Sequence, residues 1–187
     1  MNFKKLFLAA ILLTGIQPNT TLAFTQKDVQ CLAENIYFES RNESSKGMLA
    51  VSLVVMNRVK ANHYPDDVCD VVRQGPMRES WKTRQNPDLP KFQRVFYPVK
   101  HRCQFSWYCD GKADTVYNKE KWEYIYNLAH AFLFKYTYGH FDDFTKGAIY
   151  YHADYVNPKW AKRKDYVVQI GAHMFYRENP EIVVANR

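Results

Sequence analysis

Residues 48–56 read MLAVSLVVM, apolar on nearly every side except at Ser52. A helix with no polar face must be buried, so the rest of the chain has to supply what covers it. Ser44 or Ser45 can cap its start, and it is expected to run to about residue 60. Just upstream, Thr25 and Asp28 form a capping-box pattern, and Val29, Leu32, Ala33, Ile36 and Tyr37 keep helical spacing. This first helix therefore has one apolar face, with which it packs on the buried one. On the helical wheel Glu39 falls beside Leu32, at the edge of that face and near the helix end, whereas Glu34 points away. Partial desolvation and the negative end of the helix dipole both raise a carboxyl pKa there, and Arg41 opposes them. Such a carboxyl can hold the proton a catalytic acid needs; an exposed last-turn glutamate is the plainer reading of the same spacing.

Residues 1–23 carry Lys4 and Lys5, an apolar run over 6–16, and Thr21-Leu22-Ala23 with small residues at both cleavage positions. This is the pattern of a secretory signal peptide, and the apolar run, followed by Pro18 and Asn19, is too short for a membrane anchor. Residues 24–187 have the length of a single domain, with 76–102 reading as an insertion. The chain carries a net charge of +7, with its lysines and arginines spread along it rather than packed into one nucleic-acid-like run, which points to an anionic polymer outside the cytoplasm and not to nucleic acid. No stable membrane insertion is expected after signal removal. Four cysteines in an exported chain suggest two disulfides, for which three pairings exist. Cys103 and Cys109 bracket a short loop, which leaves Cys31 to tie the first helix to Cys69. No Cys-x-x-Cys, His-Glu-x-x-His or histidine cluster marks a zinc site, and neither a metal nor a cofactor is expected.

Pro65 can begin a short helix through Asp66, Asp67, Val68, Val71 and Val72 to Gln74. Gly75-Pro76 then opens an irregular region to residue 102, which reads either as a wall of a substrate groove or as a solvated insertion. The loop Cys103-Gln104-Phe105-Ser106-Trp107-Tyr108-Cys109 sets Gln104 and Ser106 between aromatics, a mixture suited to a sugar; the same aromatics could instead enter the core. Asn118 can cap a helix over 119 to about 135. Residues 148–152, 166–170 and 172–177 read as strands, the last two separated at Gly171, giving a small antiparallel sheet beside the helices. His152 and His173 lie among strand aromatics, and Asp154, Tyr155, Asn157 and Trp160 follow the first strand as candidates for holding substrate.

These residues carry a family resemblance. Tyr37-Phe38-Glu39-Ser40-Arg41-Asn42-Glu43, followed by Lys46-Gly47-Met48-Leu49-Ala50-Val51 and Asn57-Arg58-Val59, resembles the Glu-Ala-Arg-Gly-Glu, Gly-x-x-Ala-Val and Asn-Arg-Val sequence of the SleB-type, spore cortex-lytic cell wall hydrolases. Further similarity lies at Cys103-Gln104-Phe105-Ser106, at Tyr151-His152-Ala153-Asp154-Tyr155-Val156 with Pro158 and Trp160, and at Ile170-Gly171 with His173, Phe175 and Tyr176. The resemblance implies an α+β, mainly helical lysozyme-like or lytic-transglycosylase-like domain with a small antiparallel sheet. It also implies peptidoglycan as substrate and Glu39 as the catalytic acid. Gln104, Ser106, Tyr151, His152, Tyr155, Trp160 and His173 are the substrate-binding candidates. Ser40 and Asn42 depart from the family's small residues, and 76–102 is longer than usual.

A protonated Glu39 would donate to the glycosidic oxygen between N-acetylmuramic acid and N-acetylglucosamine. Glu43 is the nearest candidate for a second carboxylate, as hydrolysis would need, with Asp110 and Asp154 as others. Without one, the muramic 6-hydroxyl attacks and leaves a 1,6-anhydro end, the transglycosylase outcome that the resemblance favours. The rival readings are an N-acetylmuramoyl-L-alanine amidase, a non-catalytic wall-binding module and a nucleic-acid binder.

Overall fold

The computed structural model describes residues 24–179, so the signal-like segment 1–23 lies outside the described residues. Helix α1 spans Gln26–Ser40 and opens as its capping box requires: the Asp28 N–H donates to Thr25 Oγ1, and the Thr25 N–H donates to Asp28 Oδ2 at 2.7 Å. Helix α2, Ser45–Lys60, is capped by Ser44, whose hydroxyl accepts from the Gly47 N–H. From Ala50 to Met56 every α2 residue is buried, and the one hydroxyl there, Ser52, donates back to the Met48 carbonyl. Helix α5, Lys119–Thr137, starts at Asn118, whose side chain accepts from the Lys121 N–H.

Between α2 and α5 the chain differs from expectation in two places. Helix α3 is only Val68–Val72: Asp67 does not join it but caps it, accepting from the Asp70 N–H at 3.0 Å. The region 76–102 is not irregular. It folds into strands β1, Met77–Glu79, and β2, Phe96–Pro98, paired antiparallel, with the short helix α4, Trp81–Arg84, between them. Three-residue strands have too little period to stand out in a sequence.

Three further strands follow: β3, Tyr150–Ala153; β4, Asp165–Ile170; and β5, His173–Arg177. They form an antiparallel sheet in the order β3-β5-β4, with β5 central. Strand β3 begins two residues later than expected because α2 takes the carbonyls before it. The Asn57 amide donates to the Ala148 carbonyl, and Arg58 Nε donates to the Ile149 carbonyl.

The main core joins α1, α2, α3 and α5 through residues such as Leu32, Ile36, Leu53, Met56, Val71, Ile125 and Phe132, and a smaller cluster of Ala50, Val54, Ala148, Ile170 and Phe175 fixes the sheet to α2. The disulfides are Cys31–Cys69, between α1 and α3, and Cys103–Cys109, across the loop after β2. The fold is α+β and mainly helical, with small antiparallel sheets.

Candidate active site

Glu39 is the penultimate residue of α1, half-buried, with its carboxyl turned toward the sheet. Tyr151 on β3 donates its hydroxyl to Glu39 Oε2 at 2.9 Å. Burial raises the Glu39 pKa above the usual carboxylate value, while the Tyr151 hydrogen bond and the cation of Arg58 pull it down. The carboxylate in turn holds the Tyr151 phenol protonated, its pKa pushed up chiefly by burial and then by Glu39.

Because successive strand residues face opposite ways, Tyr151, His173 and Phe175 share the face toward the helices. The ring of His173 meets Tyr151 edge-on at 5.2 Å between centroids, and Phe175 lies 5.7 Å from Tyr151. His173 is 9% exposed, and burial lowers its pKa, so near neutral pH the ring is uncharged. Its Nδ1 is buried without a hydrogen bond and lies 3.9 Å from Glu43 Oε1.

Glu43 follows the break between α1 and α2, and its direction is set by two glycines. A Cβ on Gly47 would come within 2.8 Å of Glu43 Cβ, and one on Gly171, where φ is +57°, within 1.8 Å of Glu43 Oε2. Only glycine fits at residue 171, between β4 and β5, with that backbone and that neighbour. The Ala172 N–H then donates to Glu43 Oε1 at 3.4 Å. Glu39, Tyr151, His173 and Glu43 thus form one chain of contacts from α1 across the sheet to the start of α2.

Beneath them lies Arg58, 4% exposed on the last turn of α2. Its guanidinium stands over Phe105 at 4.9 Å and Tyr64 at 5.4 Å, and its Nη1 is buried without a partner. Sequence reasoning did not single out Arg58 as a site residue. The available signal was a cation closing an otherwise apolar helix, where its charge has to enter the core.

The other candidates fall elsewhere. His152 points to the opposite face of the sheet, with Nε2 3.0 Å from the Tyr176 hydroxyl and Nδ1 2.8 Å from the Ala153 carbonyl; its ring stacks on Tyr176, and Trp160 packs edge-on against both. Tyr155 is 88% exposed in the turn after β3; Asp154 in the same turn is the exception, since it accepts from Gln169, donates its N–H to the Ala172 carbonyl and lies near enough for its charge to act on His173. Of the loop between the cysteines, Phe105 and Trp107 enter the core, leaving Gln104 and Ser106 exposed. Trp107 donates to Asn35 Oδ1 and stacks on Phe38 at 4.8 Å. Beside that stack a cleft of about 500 Å³ opens, bordered by Phe38, Arg41, Trp107, Asp110, Tyr117 and Asn118. Asp110 therefore lies on the Phe38 side of α1, whereas Glu39 faces Tyr151.

Comparison with known proteins gives three kinds of likeness. The family described as cell wall hydrolase matches residues 42–176. A spore cortex-lytic enzyme of Oceanobacillus iheyensis is 36% identical over 61 residues, 32% of this chain and 22% of that protein; one of Bacillus cereus is 37% identical over 54 residues, 29% of this chain and 21% of that protein. The chain thus spans about a fifth of the length of these curated relatives. Among solved structures, the catalytic domain of the Bacillus cereus SleB protein superposes with a TM-score of 0.52 at 23% identity, covering 87% of this chain and 99% of that one. The catalytic domain of the germination-specific lytic transglycosylase SleB from Bacillus anthracis gives 0.51 at 23%, covering 86% and 100%. These two are likenesses of fold.

Proposed function

The chain belongs to the cell wall hydrolase family, and from that premise we propose that it cleaves the glycan strand of peptidoglycan between N-acetylmuramic acid and N-acetylglucosamine, with Glu39 as the general acid. The family match begins at residue 42 and so stops short of Glu39. The observation that carries the reading is therefore local: a carboxyl at a helix end whose pKa burial raises, oriented through one oxygen by Tyr151. That leaves the other oxygen to carry the proton to a leaving group.

In the proposed step, Glu39 gives its proton to the glycosidic oxygen as the bond to the muramic C1 breaks and positive charge gathers on that sugar. The muramic 6-hydroxyl then attacks C1 and returns its proton to the Glu39 carboxylate, closing a 1,6-anhydro ring. Similarity to a lytic transglycosylase supports this outcome and favours glycan cleavage over amidase chemistry. A second reading, hydrolysis, is favoured by the fixed position of Glu43, an acceptor held by Gly171 and Ala172 beside His173 that could activate water. The signal-like segment 1–23 and the two disulfides support an exported enzyme. Among the described residues no helix is long and apolar enough to cross a membrane.

The test is release of soluble fragments from purified sacculi by residues 24–187. Glu39→Gln keeps the shape and the acceptor for Tyr151 but removes the proton, and is expected to lower the rate by at least 10²–10⁴, roughly the contribution of general acid catalysis. Release at the unsubstituted rate would remove Glu39 from the mechanism.

A further inference from the structure

The stretch 76–102 takes no part in the contacts around Glu39, yet it carries most of the chain's net charge, because few carboxylates offset its cations. It holds seven lysines and arginines against two carboxylates, Glu79 and Asp88, and so accounts for five of the chain's net +7. It also holds six of the thirteen large hydrophobic side chains exposed among the described residues: Met77, Trp81, Phe92, Val95, Phe96 and Tyr97. Nothing in α4 is buried, so these side chains fill no core. Exposed apolar groups gathered in one place mark an interaction surface.

The arm is nevertheless ordered by its own contacts. Arg94 pairs with Glu79 at 2.9 Å and donates to the Leu89 and Pro87 carbonyls, and the Ser80 N–H donates to the Val95 carbonyl. Between α4 and β2 this leaves a cleft of about 320 Å³ lined by Arg78, Glu79, Ser80, Trp81, Arg84 and Tyr97. Because Glu79 is neutralised by Arg94, the uncompensated charges are Arg78 and Arg84, neither of which forms an ion pair among the described residues.

Two aromatic rings beside two unpaired guanidiniums, in one concave space, match a sugar with an apolar ring face and an anionic substituent. We propose that this cleft is a second, non-catalytic glycan site for an acidic saccharide, a carboxylate-bearing unit of the wall polymer; this rests on the reading of the chain as a wall-acting enzyme. A lipid surface fits less well, because it calls for an apolar face set apart from a cationic one, and here the two are interleaved. A second copy fits less well too, since it would set one strongly basic arm against another. The site would tether the enzyme to its polymer between cuts and raise the local substrate concentration.

The experiment uses the Glu39→Gln protein, residues 24–187, which binds without cutting, and measures its co-sedimentation with purified sacculi. Adding Trp81→Ala or Arg84→Glu is expected to weaken binding about tenfold each, the scale of one aromatic or one charged contact, whereas Arg84→Lys retains most of it. Sacculi whose carboxylates are capped as amides should show the same loss, and sacculi stripped of phosphate-bearing polymers should bind as before. Unchanged affinity in both variants would overturn the proposal, as would loss on phosphate removal alone. So would Trp81-dependent capture by phosphatidylglycerol–phosphatidylethanolamine vesicles with no capture by sacculi. Fragment release by the protein with Glu39 intact is read separately on the same sacculi, so failure of the arm and failure of the cleavage reading are distinguishable.

Discussion

The hydroxyl of Tyr151 stabilises the charged form of Glu39, against the burial that favours the neutral one. Tyr151→Phe removes that hydrogen bond while keeping a ring to pack on His173 and Phe175. The Glu39 pKa should then rise further, and a general acid with a higher pKa stays protonated to higher pH. The alkaline limb of the kcat/KM profile is expected to move up, with kcat lower because the carboxyl has lost its orientation. An alkaline limb that stays in place would mean that Glu39 is not the group it reports. At this scale helical spacing was enough to put Glu39 beside Leu32 near a helix end, where the structure has it half-buried, but it left a catalytic acid and an exposed last-turn glutamate both open, and only the family resemblance favoured the acid. The partner that orients it was not legible, since Tyr151 comes from 112 residues away.

Secondary structure was most legible where a cap and a period agree. The Thr25–Asp28 box and the Asn118 cap both sit where side-chain chemistry puts a helix start. The start of β3 was misjudged because Asn57 and Arg58 claim the two carbonyls before it, a tertiary competition that strand propensity does not carry. The disulfide between α1 and α3 closes a separation of 38 residues, the one across the loop after β2 only 6. Constraint of the unfolded chain grows with loop length, so replacing Cys31 and Cys69 by Ser should cost roughly 3–4 kcal/mol and replacing Cys103 and Cys109 less. Urea unfolding of the two double variants checks the order; equal losses would mean that strain or packing, not chain constraint, sets their contributions.

The whole molecule brings four distant segments to one place, and Glu43 shows why that assembly was hidden. Gly47 and Gly171 are far apart in sequence, and nothing local tells that both are glycines for the sake of the same glutamate side chain. The assembled site also leaves a mark on stability. Glu39 has a folded pKa above its unfolded one, so the folded state binds the proton more tightly, and this favours folding fully only below the unfolded value near 4.5. As pH rises through the folded pKa that contribution is lost. Glu39→Gln, which has no charge to bury, is therefore expected to melt at a higher temperature than the unsubstituted protein at pH 7, with the gap closing below about pH 4.5. A gap that is absent at pH 7 would mean the carboxyl is not held against burial. The central claim, that this carboxyl cuts the glycan and the muramic 6-hydroxyl completes the reaction, is tested most directly by mass spectrometry of the soluble products from sacculi digested by residues 24–187. The account predicts muramic ends lighter by one water than reducing ends, and their loss in Glu39→Gln; free stem peptides from intact glycan strands, or products unchanged by that substitution, would contradict it.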